Sequence, residues 1–236
     1  MAALDEPAEE YVCKLGSIEP SRLWPVLDEE TRLWRQVLDW DFSGSADLIR
    51  GVLHTRGLSG YALIIRGAAA GYCYWVHENH KAIIGNLYVR QGDRTVEREN
   101  RLLEAALRAI LGDPLIRRVE AQLLLLENPL ERPAPYASLL RRYARSYMAV
   151  ELAAAAGLRA APAAKEFHFR PWSYADQEEA AAVIAAAYEA HIDAEVNDQY
   201  RTVRGARRFL VNLLQYPGCG VFLERASQAA TDVRGR

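Results

Sequence analysis

The sequence predicts an α/β protein: a mixed, mostly antiparallel sheet flanked by helices, followed by a partial second copy of its own opening. Three observations lead there. Residues 61–89 hold three apolar stretches joined by Gly67-Ala68-Ala69 and Glu78-Asn79-His80, connectors so short that they imply antiparallel hairpins. Residues 86–111, NLYVRQGDRTVERENRLLEAALRAIL, read as a strand end, a polar turn and a long amphipathic helix. Val119 to Asn128, VEAQLLLLEN, is then continuously apolar, as a central parallel strand buried on both faces is.

In chain order, Glu10 to Leu15 reads as a first strand. Pro20 and Ser21 open a helix reaching about Trp40, with Leu23, Trp24, Leu27, Leu33, Trp34 and Leu38 as its apolar set. Trp40 to Gly44 breaks it, and Ser45 to His54 forms a second helix before a turn at Gly57 to Gly60. Strands follow at 61–66, 70–77 and 81–89. Thr95 is a good N-cap for the next helix, since its hydroxyl can accept from a first-turn N–H. Glu97 and Glu99 stand in that first turn, where negative charge suits the helix dipole. Leu102, Leu103, Ala106, Leu107, Ile110 and Leu111 form its apolar face. The apolar strand 119–128 comes next, then a short helix at 136–142 and a closing strand at 146–152. Leu152 to Lys165, low in complexity, reads as a linker.

After the linker the pattern restarts. A strand at 166–170, helices at 177–190 and 204–216, a break at Pro217 to Gly220, a strand at 226–231 and a turn at 232–236 repeat the order strand, helix, helix, strand. The domains expected are therefore 1–152, a linker at 153–165, and 166–236 as the first part of a second copy that stops inside its first hairpin.

Composition narrows the function classes. With 29 basic and 31 acidic residues the formal charge is −2, which gives no electrostatic case for nucleic acid or for a membrane surface. No apolar run reaches membrane-spanning length, and the N-terminus, MAALDEPAEE, lacks the basic and apolar regions of a signal peptide. Cys13, Cys73 and Cys219 are odd in number and widely spaced, as expected of reduced thiols in a cytoplasmic protein.

The stretch 86–111 resembles the cofactor-binding motif of the GNAT acyltransferase superfamily. In that family a valine ending a central strand precedes a loop of the form R/Q-x-x-G-x-G/A, whose amides hold the pyrophosphate of acetyl-CoA. Counted from Val89, the family arginine falls on Arg94 and the helix's double leucine on Leu102 and Leu103. The glycine places hold Thr95, Glu97 and Glu99. The element order through strand 119–128 is also the opening of the GNAT fold. The resemblance implies acetyl-CoA as co-substrate, with Leu87, Val89, Arg94, Thr95 and Asn128 as its binding residues. It implies direct attack of an amine on the thioester, with Tyr136 or Tyr143 as the acid for the leaving thiolate, a role suited to a phenol of ordinary pKa near 10.

The departures have a size. Glycine lets backbone approach a phosphate closely, whereas a glutamate adds bulk and charge. Two like charges about 4 Å apart at an effective dielectric near 20 repel by roughly 4 kcal/mol, on the order of a thousandfold in affinity. Arg90, Arg94, Arg98 and Arg101 offset part of this, and the glutamates also serve the helix's positive end themselves. The expectation is a weak or inactive first domain, with catalysis placed in the second copy. The alternative class is a non-catalytic scaffold or dimerisation module, which leaves room for a homodimer. The amine, of a small molecule or a peptide, stays unnamed.

Other polar features have plainer readings. His77 and His80 lie at a hairpin end without a third ligand, short of a zinc site. His191, Asp193, Glu195 and Asp198 form an acidic loop that in this fold faces an amine acceptor, or is simply solvated. Arg117-Arg118 and Arg141-Arg142 are short basic flanks.

Overall fold

The computed structural model describes residues 9–127, 131–157, 159, 166–215 and 222–232. The chain divides into two compact units, Met1–Ala144 and Arg145–Arg236. The architecture is α/β, with a mostly antiparallel sheet flanked by helices.

Unit 1 is built on a five-stranded sheet in sequential order: β1 (Glu10–Lys14), β2 (Ser59–Ile65), β3 (Ala68–Glu78), β4 (Lys81–Val89) and β5 (Arg118–Ala121). The first four strands are antiparallel and β5 joins β4 in parallel. Helices α1 (Trp24–Leu38) and α2 (Ser43–His54) connect β1 to β2, and α3 (Val96–Leu111) connects β4 to β5. Side chains alternate across a strand, so the sheet has two cores. Tyr72 and Tyr88 pack with Leu23, Leu27, Leu33 and Ile49 on the α1/α2 side. Cys73, Leu87 and Val89 pack with Leu102, Leu103, Leu107 and Ile110 on the α3 side. Each large side chain fully buried in this way is worth about 1.5–3 kcal/mol of hydrophobic stabilisation.

Several boundaries differ from the sequence-based expectation for physical reasons. Residues Pro20–Leu23 form a 3-10 turn and α1 starts at Trp24, because Pro25 has no N–H for an α-type bond and is accommodated only in the first turn. Asp39, in a left-handed conformation, ends α1 ahead of Trp40. The strand expected over 119–128 is only Arg118–Ala121. Beyond it Leu125 enters the first core while Leu123 and Leu126 lie against the second. A continuous apolar run is buried in either geometry, so its periodicity does not distinguish strand from buried loop. The helix expected at 136–142 is a 3-10 turn, Ala137–Leu139, ended by the extended backbone of Leu140 (φ −101, ψ 131). The closing strand expected at 146–152 is absent: these residues form no strand, and Met148, Val150 and Leu152 are exposed.

Unit 2 contains α4 (Leu152–Ala155), β6 (His168–Pro171), α5 (Gln177–Ala187), α6 (Ile192–Val196), α7 (Val203–Gln215) and β7 (Gln228–Thr231). β6 and β7 pair antiparallel, His168 opposite Thr231. Arg170 clamps Asp176 through two bonds of 2.7 and 2.5 Å, which holds the Asp176 carboxyl down at about 2. Asp176 in turn completes a capping box with Ser173 ahead of α5. Ala181, Ala206 and Leu210 are its buried centre. The expected break at Pro217 to Gly220, with Cys219, and the last four residues of the expected turn at 232–236 lie outside the described residues. Among the described residues no helix is long and apolar enough to cross a membrane.

The β3–β4 ladder depends on close backbone approach at Gly71, which lies opposite Val89. A Cβ there would stand 2.6 Å from the Tyr88 carbonyl oxygen and 3.1 Å from Val89 Cα. Gly71→Ala is expected to push the end of β4 away and destabilise unit 1 by about 1–3 kcal/mol, read as a lowered urea midpoint.

Candidate functional site

Strand β4 is bonded to β3 along its length but to β5 only over Lys81 to Ile84, opposite Arg118 to Ala121. From Gly85 onward β4 has no ladder partner on that edge, because β5 ends at Ala121. The direction of the β4 amides follows from the ladder. Arg90 N–H donates to the Ala70 carbonyl at 2.8 Å, and in an antiparallel pair alternate residues face alternate edges. Leu87 and Val89 therefore present their backbone N–H groups to the edge that β5 leaves. The Leu87 N–H is taken by the Asn86 side-chain oxygen at 2.9 Å.

Asn86 is itself held from below. Its amide nitrogen donates to Glu30 and, at 3.3 Å, to the Tyr72 hydroxyl. Tyr72 donates to Glu30 at 2.5 Å and the Trp34 indole N–H donates to it at 3.1 Å. Glu30 is fully buried. Burial pushes its carboxyl up to about 7, against the three hydrogen bonds that favour the charged form. Sequence reasoning passed over Glu30. The available signal was an acid on the apolar stripe of α1, at helical spacing from Leu27, Leu33 and Trp34.

Beyond Val89 the chain turns through Gln91–Asp93 into α3. Thr95 is the N-cap as expected, its hydroxyl accepting from Arg98 N–H at 3.2 Å. Glu97, exposed, bonds its own backbone N–H and the Thr95 hydroxyl, which lowers its carboxyl pKa. Glu99 N–H donates to the Thr95 carbonyl at 3.0 Å. The Glu99 side chain turns inward and is 1% exposed. One of its oxygens accepts from Arg94 Nε at 2.8 Å, and the other from Arg132 Nη1. Arg132, 4% exposed, also donates to the Val96 carbonyl, the Asn100 side chain and the Glu127 carbonyl.

The other arginines of this stretch have acids of their own. Arg98 and Arg101 share Glu10, and the Arg98 hydrogen bond lowers the Glu10 carboxyl. Arg90 pairs with Glu29 at 3.0 Å. Glu29 also accepts from the Tyr88 hydroxyl and, at 2.7 Å, from the backbone N–H of Gln91 in the loop. Burial raises the Glu29 carboxyl, but the Gln91, Arg90 and Tyr88 bonds outweigh it and leave it lowered.

The resemblance places the diphosphate of acetyl-CoA at this loop and helix mouth. These residues do not fit it as they stand. The Glu99 carboxylate lies between the guanidinium groups of Arg94 and Arg132, and the first-turn amides of Glu97, Arg98 and Glu99 are satisfied from within.

The remaining candidates are dispersed. Leu87 and Val89 sit on the edge of β4 beyond β5, Arg94 and Thr95 at the helix mouth. Asn128 lies outside the described residues. Tyr136, half-buried against the α3 core, is bonded to Arg108 in the last turn of that helix. Arg108 is about 20 Å along the axis from Thr95 at 1.5 Å per residue. Tyr143 lies under the Arg141 guanidinium, 5.6 Å from it. Tyr136 packs against the same core cluster as Leu87 and Val89. His77 accepts from the Trp75 indole N–H and His80 meets the Leu115 carbonyl. In unit 2 the loop expected at 191–200 is ordered: His191 caps α6 and Asp193 pairs with Arg145 at 2.8 Å. Arg132, which nothing local in the sequence marks, is the main residue that sequence reasoning missed here.

No protein-family model and no curated protein matches the chain. Solved structures do. A GCN5-related N-acetyltransferase from Ralstonia eutropha is 16% identical, with a TM-score of 0.43, over 61% of this chain and 99% of that one. A ribosomal-protein-alanine N-acetyltransferase from Brucella melitensis biovar Abortus is 11% identical, TM-score 0.37, over 57% and 98%. An aminoglycoside acetyltransferase from an uncultured soil metagenomic sample is 12% identical, TM-score 0.37, over 61% and 97%.

The Glu30 cluster makes stability depend on pH in a definite direction. Its folded pKa lies above the ordinary 4.5, so the folded state holds the proton more tightly than the unfolded one. The associated stability is complete below about 4.5 and is lost as pH rises to about 7, a total near 3 kcal/mol. Urea melts across pH 4–8 are expected to show this falling component in the wild type and to lose it in Glu30→Gln.

Proposed function

We propose that this is a GNAT-type N-acyltransferase chain, using acetyl-CoA to acylate an amine of a small molecule or peptide, whose first unit is weak or inactive in the reaction. The observation that carries the reading is the end of the β4–β5 pairing at Ile84. It leaves the Val89 amide on the edge without a strand partner, the Leu87 amide being taken by Asn86, and the Gln91–Asp93 turn then leads to the N-terminus of α3. An edge of this kind offers a donor to a thioester carbonyl, and the helix end offers partial positive charge to an anion.

What this chain's own residues contribute is positioning. Asn86, fixed by Glu30 and Tyr72, sets the strand edge. Glu29 ties the loop to α1. The weakness rests on Glu99, whose carboxylate stands where the diphosphate would go. Unit 2, in which α5, the short α6 and α7 lie between β6 and β7, supports a tandem arrangement in which a second GNAT-like copy supplies the active centre.

A charge of like sign at the seat is worth on the order of a thousandfold in affinity. Calorimetry of the chain with acetyl-CoA is therefore expected to give a dissociation constant near a millimolar; a micromolar value overturns the weak first site. A thiol-release assay with a panel of primary amines at millimolar acetyl-CoA is expected to show slow turnover. No release with any amine overturns acyl transfer for this chain.

A further inference from the structure

We propose that Arg94 and Arg132 at the mouth of α3 form a diphosphate seat filled by the chain's own Glu99 carboxylate, so that this one side chain keeps diphosphate ligands out. The inference deepens the reading above and rests on it for the identity of the natural ligand, but the seat itself is argued from charge and geometry.

Two guanidinium groups converge on one carboxylate, each taking a different oxygen. The Glu99 and Arg132 side chains are both 2% exposed and Arg94 is 20% exposed, so solvent screens the cluster little. Two positive charges meet one negative charge, and the positive end of α3 adds to the excess. The further acceptors around Arg132 are neutral: the Val96 and Glu127 carbonyls and the Asn100 side chain. Even so, Arg132 Nε is buried without an acceptor. A buried donor without a partner calls for an explanation, and an acceptor-rich anion at the site is one. A diphosphate brings more charge and more acceptor oxygens than a carboxylate, and planar guanidinium forks suit it. Glu97, one residue removed from Arg98 at the same helix mouth, is exposed. Its side chain bonds its own N–H and the Thr95 hydroxyl, and its charge acts on Arg132 from the solvent side without filling the seat.

The test uses the full chain with inorganic pyrophosphate as the probe, read by calorimetry and by the shift of the melting temperature. Wild type is expected to bind only at millimolar concentration. Glu99→Ala is expected to bind about a thousandfold more tightly, and its melting temperature, lowered by the two unpaired arginines, should climb with pyrophosphate. Glu99→Ala/Arg132→Met should lose the gain, and Glu97→Ala should behave as wild type. If Glu99→Ala does not fold without the anion, Glu99→Gln, of the same shape, should show a smaller gain of the same sign. Folded Glu99 variants with no gain, or an equal gain in Glu97→Ala, overturn the proposal. Coenzyme A separates this from the functional reading. A Glu99→Ala chain that takes pyrophosphate but gains nothing for coenzyme A keeps the seat and removes the acyl-CoA assignment.

Discussion

Strand β4 can satisfy its outer edge in only one way at each residue, and the change of partner at Gly85 shapes unit 1. Up to Ile84 the partner is β5. At Leu87 it is the side chain of the preceding residue, Asn86. An asparagine oxygen that takes a ladder N–H removes the reason for a neighbouring strand to stay alongside. Asn86 holds that orientation because its other end is fixed by Glu30 and Tyr72, from α1 and β3. The Asn86 side chain that takes the Leu87 amide is thus held by a buried acid on α1. Three donors offset only part of the cost of burying that acid, and the remainder appears as its raised pKa.

The loop after β4 follows the same logic with opposite electrostatics. Glu29 takes a loop amide and Glu10 takes two arginines of α3. Glu99 takes Arg94 and the distant Arg132. Each carboxylate does locally what a bound anion would do: it neutralises guanidinium groups or caps backbone N–H groups. Burial decides how much each one matters. A charge in solvent is screened and contributes little. The Glu99 carboxylate, by contrast, is buried and bonded to two cations.

Unit 2 is held by other means. Its sheet has two strands, of which β6 is exposed throughout, and its buried centre is small. Stacking of Tyr188 on Tyr200, the edge of Phe209 against Tyr200, and the close seat of Gly205 on the Gln199 backbone give α5 and α7 their fixed relation. The Arg170–Asp176 pair ties the end of β6 to the start of α5. Such local devices make up for the little apolar area that two short strands and the helices beside them can bury.

The residues alone determined the elements whose patterns are local. Alternation and short connectors fixed the β2–β3–β4 meander. Helical spacing and the Thr95 cap fixed α3, and the counted positions singled out Glu97 and Glu99. Tertiary structure decided the rest. The run 119–128 shows only that its leucines are buried, and whether they continue a strand depends on what the β4 edge already binds. Two glutamates in one helical turn look alike in sequence, yet one is exposed and the other is sealed. That difference depends on Arg132, whose guanidinium reaches the helix from a loop more than thirty residues later. Side-chain charge is written in the sequence; its screening is set by the neighbours that the fold brings to it, because electrostatic strength depends on distance and exposure rather than on order along the chain.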